Sequence, residues 1–154
     1  MRIVRLSGDH GDRDRRPRLE ISDVRVREPS AGGRELPQPR RARILLVERE
    51  RLRGALIEAT LDDAEFEVVA ATPRAAVAVA RCGTFDVFVV DAGTGHGDAE
   101  WVARHLARSH PATPLVVLSP EPRREPRAQT VPQPFSGAEL LSAVRRACGA
   151  AFSR

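Results

Sequence analysis

Val87-Phe88-Val89-Val90-Asp91-Ala92-Gly93 is the stretch that decides the fold. Four consecutive apolar residues, three of them β-branched, leave no wet face, as expected of a strand covered on both sides in a parallel sheet. The run stops at a carboxylate and then enters the glycine-rich stretch Gly93-Thr94-Gly95-His96-Gly97. Asp91 is therefore expected at the carboxyl tip of a central strand.

The flanking sequence repeats the alternation of strand and helix. Upstream, Ile44-Leu45-Leu46-Val47 reads as a second continuous strand, followed by Leu52, Ala55, Leu56 and Ala59 at helical spacing, then by the alternating stretch Phe66 to Ala70. Thr72-Pro73 supplies an N-cap with proline at the first helical position, and Gly83 a stop after Ala75, Val79 and Cys82. Downstream, Trp101, Val102, His105 and Leu106 mark a third helix, and Leu115-Val116-Val117-Leu118 a fourth strand. Ser136 and Glu139 form a capping box for the last helix, with Phe135 placed to staple onto Leu140 and Val144 and Ala147 following.

Strands alternating with helices imply an α/β, flavodoxin-like, doubly wound parallel sheet of strand order 2-1-3-4-5. Its ligand site lies where the order reverses, at the carboxyl ends of the first and third strands, which here are Glu48 and Asp91. Between Ser119 and Gln133 the chain is short for a helix, a strand and their loops, which together need about 20 residues, and Pro120, Pro122 and Pro126 break it. The fourth helix is expected to be missing or reduced to a turn, and the fifth strand to be short, near Gln129 to Val131.

Composition bounds the remaining possibilities. The 154 residues suit one domain with a tail. Residues 1–42 carry Arg, Asp, Gly and Pro in no sustained period and read as an Arg-rich disordered arm and linker, 43–150 as the domain, and 151–154 as a tail. Ile3 to Leu6 and Leu19 to Val26 are the arm's two candidate strand patches. The net charge of +4 belongs to the arm, since Met1 to Arg43 holds 12 Arg against 7 acids and the rest 13 against 14. With no aromatic before Phe66 the arm has no stacking platform for bases, so a solvated tail is expected over a nucleic-acid contact. No run has the length of a membrane span and no signal peptide is evident, so a cytoplasmic protein is expected. Cys82 and Cys148 read as small buried hydrophobes without a disulfide. His96, His105 and His110 do not have the spacing of a metal triad, and Trp101 reads as a packing or contact residue.

Taken in order, these residues resemble a response-regulator receiver domain over nearly all of Arg43 to Ala150. Glu48 stands where the family has the first of two metal-binding acids, Asp91 at the phosphoacceptor position, and Asp98 where its loop carries an acid before the helix. Ser119 stands where it keeps a hydroxyl that binds the phosphoryl group, and Gln133-Pro134-Phe135-Ser136 where it has Lys-Pro-Phe-Ser/Thr. The resemblance implies a bacterial two-component signalling module and not an enzyme, with a histidine kinase as partner and Mg2+ held by Glu48 and Asp91. A carboxylate attacks phosphorus only when charge on the transferring group is neutralised, which the family does with magnesium and a lysine.

The departures matter as much. Arg49 replaces the second acid; pointing inward, the favoured orientation, it opposes the metal, and pointing outward it leaves Glu48 and Asp91 as a thin site. Gln133 replaces the lysine, and the sequence contains no other lysine to take its place. Thr130 stands where many receivers keep an aromatic. A stand-alone, degenerate receiver is the expectation: Asp91 as candidate phosphoacceptor, Ser119 and Gln133 beside it, a weak Mg2+ site, and action by protein docking. The alternative is a truncated S-adenosylmethionine-dependent methyltransferase-like domain, suggested by the Gly93-Gly95-Gly97 loop after an acid. The two βα units ahead of that loop and the short chain after it count against this reading.

Overall fold

The computed structural model describes residues 24–26, 40–62, 66–93, 97–122 and 128–152, with side chains through Gly149. The elements in chain order are β1 (Val24–Val26), β2 (Ala42–Val47), α1 (Arg51–Asp62), β3 (Phe66–Ala71) and α2 (Pro73–Cys82). They continue with β4 (Val87–Asp91), α3 (Gly97–Ser109), β5 (Leu115–Ser119), β6 (Ala128–Pro132) and α4 (Gly137–Phe152).

The sheet order is β1-β3-β2-β4-β5-β6. From β3 onward every pairing is parallel, and those five strands have the expected 2-1-3-4-5 order. Because side chains alternate across a strand, each apolar run supplies two cores at once. Ile44, Leu46, Val87, Val89, Val116 and Leu118 face α1 and α4. Leu45, Val47, Phe88, Val90, Leu115 and Val117 face α2 and α3. This two-sided burial is why the central strands read as continuous apolar runs.

The first departure lies upstream of the parallel sheet. Val24–Val26, assigned to the disordered arm, pairs antiparallel with the edge of β3, Val24 opposite Ala71 and Val26 opposite Val69. The strand lies at the end of the candidate patch Leu19 to Val26; the pairing gives β3's exposed backbone groups partners, and Val24 packs against the α2–α3 core. Ile3 to Leu6 lies outside the described residues.

Helix α1 forms where expected but buries a different face. Leu52, Ala55, Leu56 and Ala59 are all exposed, Leu52 by 83% and Leu56 by 71%. Gly54, Ile57 and Leu61 face the core instead. Gly54 sets the rotation: a Cβ there would lie 2.9 Å from Glu48 Cγ and 3.1 Å from an Arg25 guanidinium nitrogen, a close approach that glycine permits.

The link from β5 to β6 covers only residues 120–127, and 120–122 are not helical. Residues 123–127, including Pro126, lie outside the described residues. So short a connection cannot hold an ordinary helix with its two loops, which is the expected loss of the fourth helix. The fifth parallel strand is Ala128–Pro132, one residue longer at each end than expected.

Helix caps follow the sequence closely. Ser136 Oγ accepts from Glu139 N–H at 3.2 Å, and Glu139 Oε2 accepts from Ser136 N–H at 2.7 Å, a reciprocal capping box. The bond from the Ser136 N–H, and then that from the Ser136 hydroxyl, which donates to the same oxygen at 2.8 Å, hold the Glu139 carboxyl below its usual range. Phe135 packs against the cluster that contains Leu140. Pro73 occupies the start of α2, although Thr72 makes no side-chain cap bond there. Cys148 is buried, and burial pushes its thiol up to about 11. Cys82 is exposed, contrary to expectation, because it sits on the outer face of α2's last turn. Among the described residues no helix is long and apolar enough to cross a membrane.

Candidate functional site

Parallel strands that end together bring their last residues to one rim. Val47 of β2 pairs with Val90 of β4, so Glu48 and Asp91 emerge side by side. Both are buried, at 6% and 3% exposure. Glu48 Oε1 accepts from the Glu50 N–H at 2.7 Å. Asp91 Oδ1 accepts two hydrogen bonds, from the Gly93 N–H and from Gln133 Nε2, each at 2.8 Å.

Gln133 reaches Asp91 because the turn after β6 is tied to the rim: its N–H donates to the Ser119 carbonyl at 3.0 Å. Its side chain then lies over Gly93, where an added Cβ would collide with the amide. The peptide between Gln133 and Pro134 is cis. Ser119 is fully buried at the tip of β5, and its hydroxyl accepts from Glu121 N–H at 3.3 Å.

The other oxygen of Asp91 has an unexpected neighbour. Arg53 Nε stands 2.6 Å from Asp91 Oδ2 and 4.0 Å from Glu48 Oε2. Both of these carboxylate oxygens are buried without an aligned hydrogen-bond donor, so the attraction is chiefly ionic. Burial is the main cause that pushes Glu48 up to about 7, and hydrogen bonding to Asp91 adds to it. Near neutral pH Glu48 is thus only partly ionised, beside the Arg53 guanidinium.

Arg49 is not in the site. Its side chain is 54% exposed and its guanidinium lies 3.9 Å from Asp98, itself on the outer surface of α3. The inward orientation is therefore corrected: the residue after Glu48 points away, and the cation arrives one helical turn later. Arg53 is four residues beyond Arg49, and the first turn of a helix that follows a strand stands over that strand's tip. Reading charge along the chain and not around the helix missed it.

The arrangement does not fit magnesium well. Magnesium needs near-octahedral oxygen ligation, and no three acids, histidines or cysteines cluster for a metal among the described residues. The cation's share of the electrostatics is supplied by Arg53. At the start of the glycine loop, Gln133 covers Gly93. Gly95 and His96 lie outside the described residues, and His105 stacks on Trp101 at 5.0 Å.

No family model matches the sequence, and no curated protein matches it significantly. Solved structures do. A response regulator receiver protein from Sinorhizobium medicae WSM419 is 28% identical with a TM-score of 0.64, over 72% of this chain and 97% of that one. The Vibrio cholerae chemotaxis protein CheY4 is 24% identical with a TM-score of 0.62, over 70% and 99%. A CheY-like receiver domain protein from Methanospirillum hungatei JF-1 shares the fold at 15% identity and a TM-score of 0.66, over 74% and 98%. Strand order, the acid at the tip of β4 and these structures agree: the domain has the fold of response-regulator receiver domains and is similar to them.

Proposed function

We propose that this receiver is degenerate: a cytoplasmic signalling module that acts by docking to a histidine kinase or another signalling protein, with phosphoryl transfer to Asp91 suppressed. The 2.6 Å approach of Arg53 to Asp91 carries this reading. Attack on phosphorus needs a carboxylate oxygen free to form the new bond and cations on the phosphoryl oxygens. Here Oδ1 accepts two hydrogen bonds and Oδ2 faces a guanidinium that cannot lose its proton. The family's lysine is the neutral Gln133, so positive charge is spent on the nucleophile and not on the group it would attack. Were Arg53 to swing out, Asp91 would be the phosphoacceptor, Ser119 and Gln133 its polar neighbours, and Glu48 the acid of a weak Mg2+ site.

Docking has a surface to use. Leu52, Ala55, Leu56 and Ala59 form one exposed apolar stripe along α1, the shape that an amphipathic partner helix covers. The test is intact-mass measurement after incubation with acetyl phosphate and Mg2+. The wild type is expected to gain no phosphoryl adduct. A stoichiometric adduct that disappears in Asp91→Asn overturns the proposal.

A further inference from the structure

Helix α1 carries a pattern of size and charge that is complementary to itself. Its core-facing residues are Gly54, Ile57 and Leu61. At about 100° per residue, Leu52, Ala55, Leu56 and Ala59 fall on the opposite side of the helix, where all four are exposed. The neighbouring elements stop at its flanks: Gly137 of α4 approaches Thr60, and Arg25 of β1 lies 3.7 Å from Glu58. The two leucines, 83% and 71% exposed, therefore point out of the domain. A lone exposed leucine is ordinary on a surface; four apolar residues aligned on one helix form a contact patch.

Sizes along this stripe run large, small, large, small. When a second copy is laid across it antiparallel, about a twofold axis between Ala55 and Leu56, Leu52 comes opposite the second copy's Ala59 and Leu56 opposite its Ala55. Each leucine then meets a small residue, which lets the two helices approach closely. Charge obeys the same symmetry. On the flank beside Ala55, Arg51 stands at the start of the helix and Glu58 and Asp62 at its end. The antiparallel pair brings Arg51 of each copy within about 3 Å, measured along the axis, of the other copy's Asp62. A parallel pair would set Arg51 against Arg51 and Asp62 against Asp62, so the charges select the antiparallel one. Twofold symmetry makes every favourable contact twice.

We propose that α1 is the interface of a weak, reversible homodimer in which two copies of this chain pack stripe to stripe with antiparallel helices. A contact between two 12-residue helices is smaller than the about 800 Å2 per partner of a stable interface, so the dimer forms only at high concentration. The inference goes beyond docking to a signalling protein. It uses the same stripe, so a dimer and a docked partner exclude each other, and self-association regulates access to α1. Asp91 is buried and takes no part in the contact.

Sedimentation equilibrium of the full chain from about 10 μM to about 1 mM, in low salt, tests this. A reductant is included because Cys82 is exposed. The mean mass should rise from that of the monomer toward twice that value. Leu56→Glu, a solvent-facing change in the monomer, should stay monomeric throughout. Arg51→Glu and Asp62→Arg should each weaken association at least tenfold, and their equimolar mixture should recover it, because each chain then carries the charge the other lacks. A wild type that is monomeric at the top of the range overturns the proposal and leaves docking to another protein standing. A dimer that survives Leu56→Glu overturns it as well, and so does a mixture of the charge variants that recovers nothing.

Discussion

Helices α1 and α4 cover the same face of the sheet and touch each other, Gly137 at the start of α4 meeting Thr60 of α1. They are built by different rules. Helix α4 begins with a reciprocal capping box, places Glu139 in its first turn, and buries Leu140, Ala143, Val144 and Ala147. Helix α1 has no acid in its first turn, carries arginines at both ends of that turn, and exposes the apolar stripe that identifies it. Local stability explains α4. For α1 it does not, and what is anomalous there lies beside Asp91 or faces a partner. Where a helix violates its own preferences, the site next to it is the place to look for the reason.

The largest test of this contrast is a pair of leucine truncations. Leu140→Ala removes a side chain that is 1% exposed and should cost about 2–5 kcal/mol. Leu56→Ala, on the outer stripe of α1, should stay within about 0.5 kcal/mol of the wild type. Urea denaturation measures both. A large loss in Leu56→Ala would show that the stripe packs inward in solution and would remove the docking surface.

Next in size is the pH dependence of the buried carboxylates. Glu48 has its folded pKa raised from 4.5 to about 7, so the folded state binds the proton more tightly than the unfolded chain does. Its contribution is complete below pH 4.5 and is lost as pH rises through about 7. The cost of holding it ionised at pH 8 is of order 2 kcal/mol, discounted for its coupling to Asp91 and the nearby Arg53. Glu48→Gln should therefore be more stable than the wild type at pH 8, with the advantage shrinking toward pH 5. Stability curves at the two pH values check the sign. A variant less stable at pH 8 would mean that Arg53 needs both negative charges.

Much of this was legible in the chain. The apolar runs gave three strands because burial on both faces leaves no alternative composition, the alternating stretch Phe66 to Ala70 gave a fourth, and Ser136 with Glu139 marked a helix start that is entirely local. The tips of the first and third strands located Glu48 and Asp91 from topology alone, and Gln133 landed on Asp91 as the receiver resemblance implied. What escaped depended on distant partners. The strand at Val24–Val26 falls within the candidate patch Leu19 to Val26, but its pairing partner, the open edge of β3, could not be read from the patch itself. The buried face of α1 was misread because two apolar stripes run along it, and close packing at Gly54 chooses between them. Arg53 was missed for the same reason that Arg49 was placed inward: rotation around the helix, not distance along the chain, decides which guanidinium reaches the carboxylates.

That rotation makes a sharper prediction at the level of about tenfold. If Arg53 supplies the charge a metal would otherwise bring, Arg53→Ala should raise Mg2+ affinity at least tenfold, equivalent to about 1.4 kcal/mol. Arg49→Ala, which removes an exposed guanidinium near Asp98, should change it much less. Calorimetry with MgCl2 compares the two. The reverse ranking would restore Arg49 as the residue that faces the site.

The smallest effect expected is at the α4 cap, and it separates the two helices most cleanly. Ser136→Ala deletes the oxygen that accepts from Glu139 N–H and should destabilise the domain by about 1 kcal/mol. Placing an acid in α1's unfilled first turn, as in Leu52→Glu, should improve that helix locally because it answers the dipole with negative charge. Yet the same acid stands next to Arg53, and by drawing its guanidinium outward it should loosen Arg53 from Asp91. A gain in thermal stability that comes with a raised Mg2+ affinity means that Arg53 is kept for the Asp91 site and not for the helix. If stability rises and the Asp91 site is untouched, the missing acid has no functional cause.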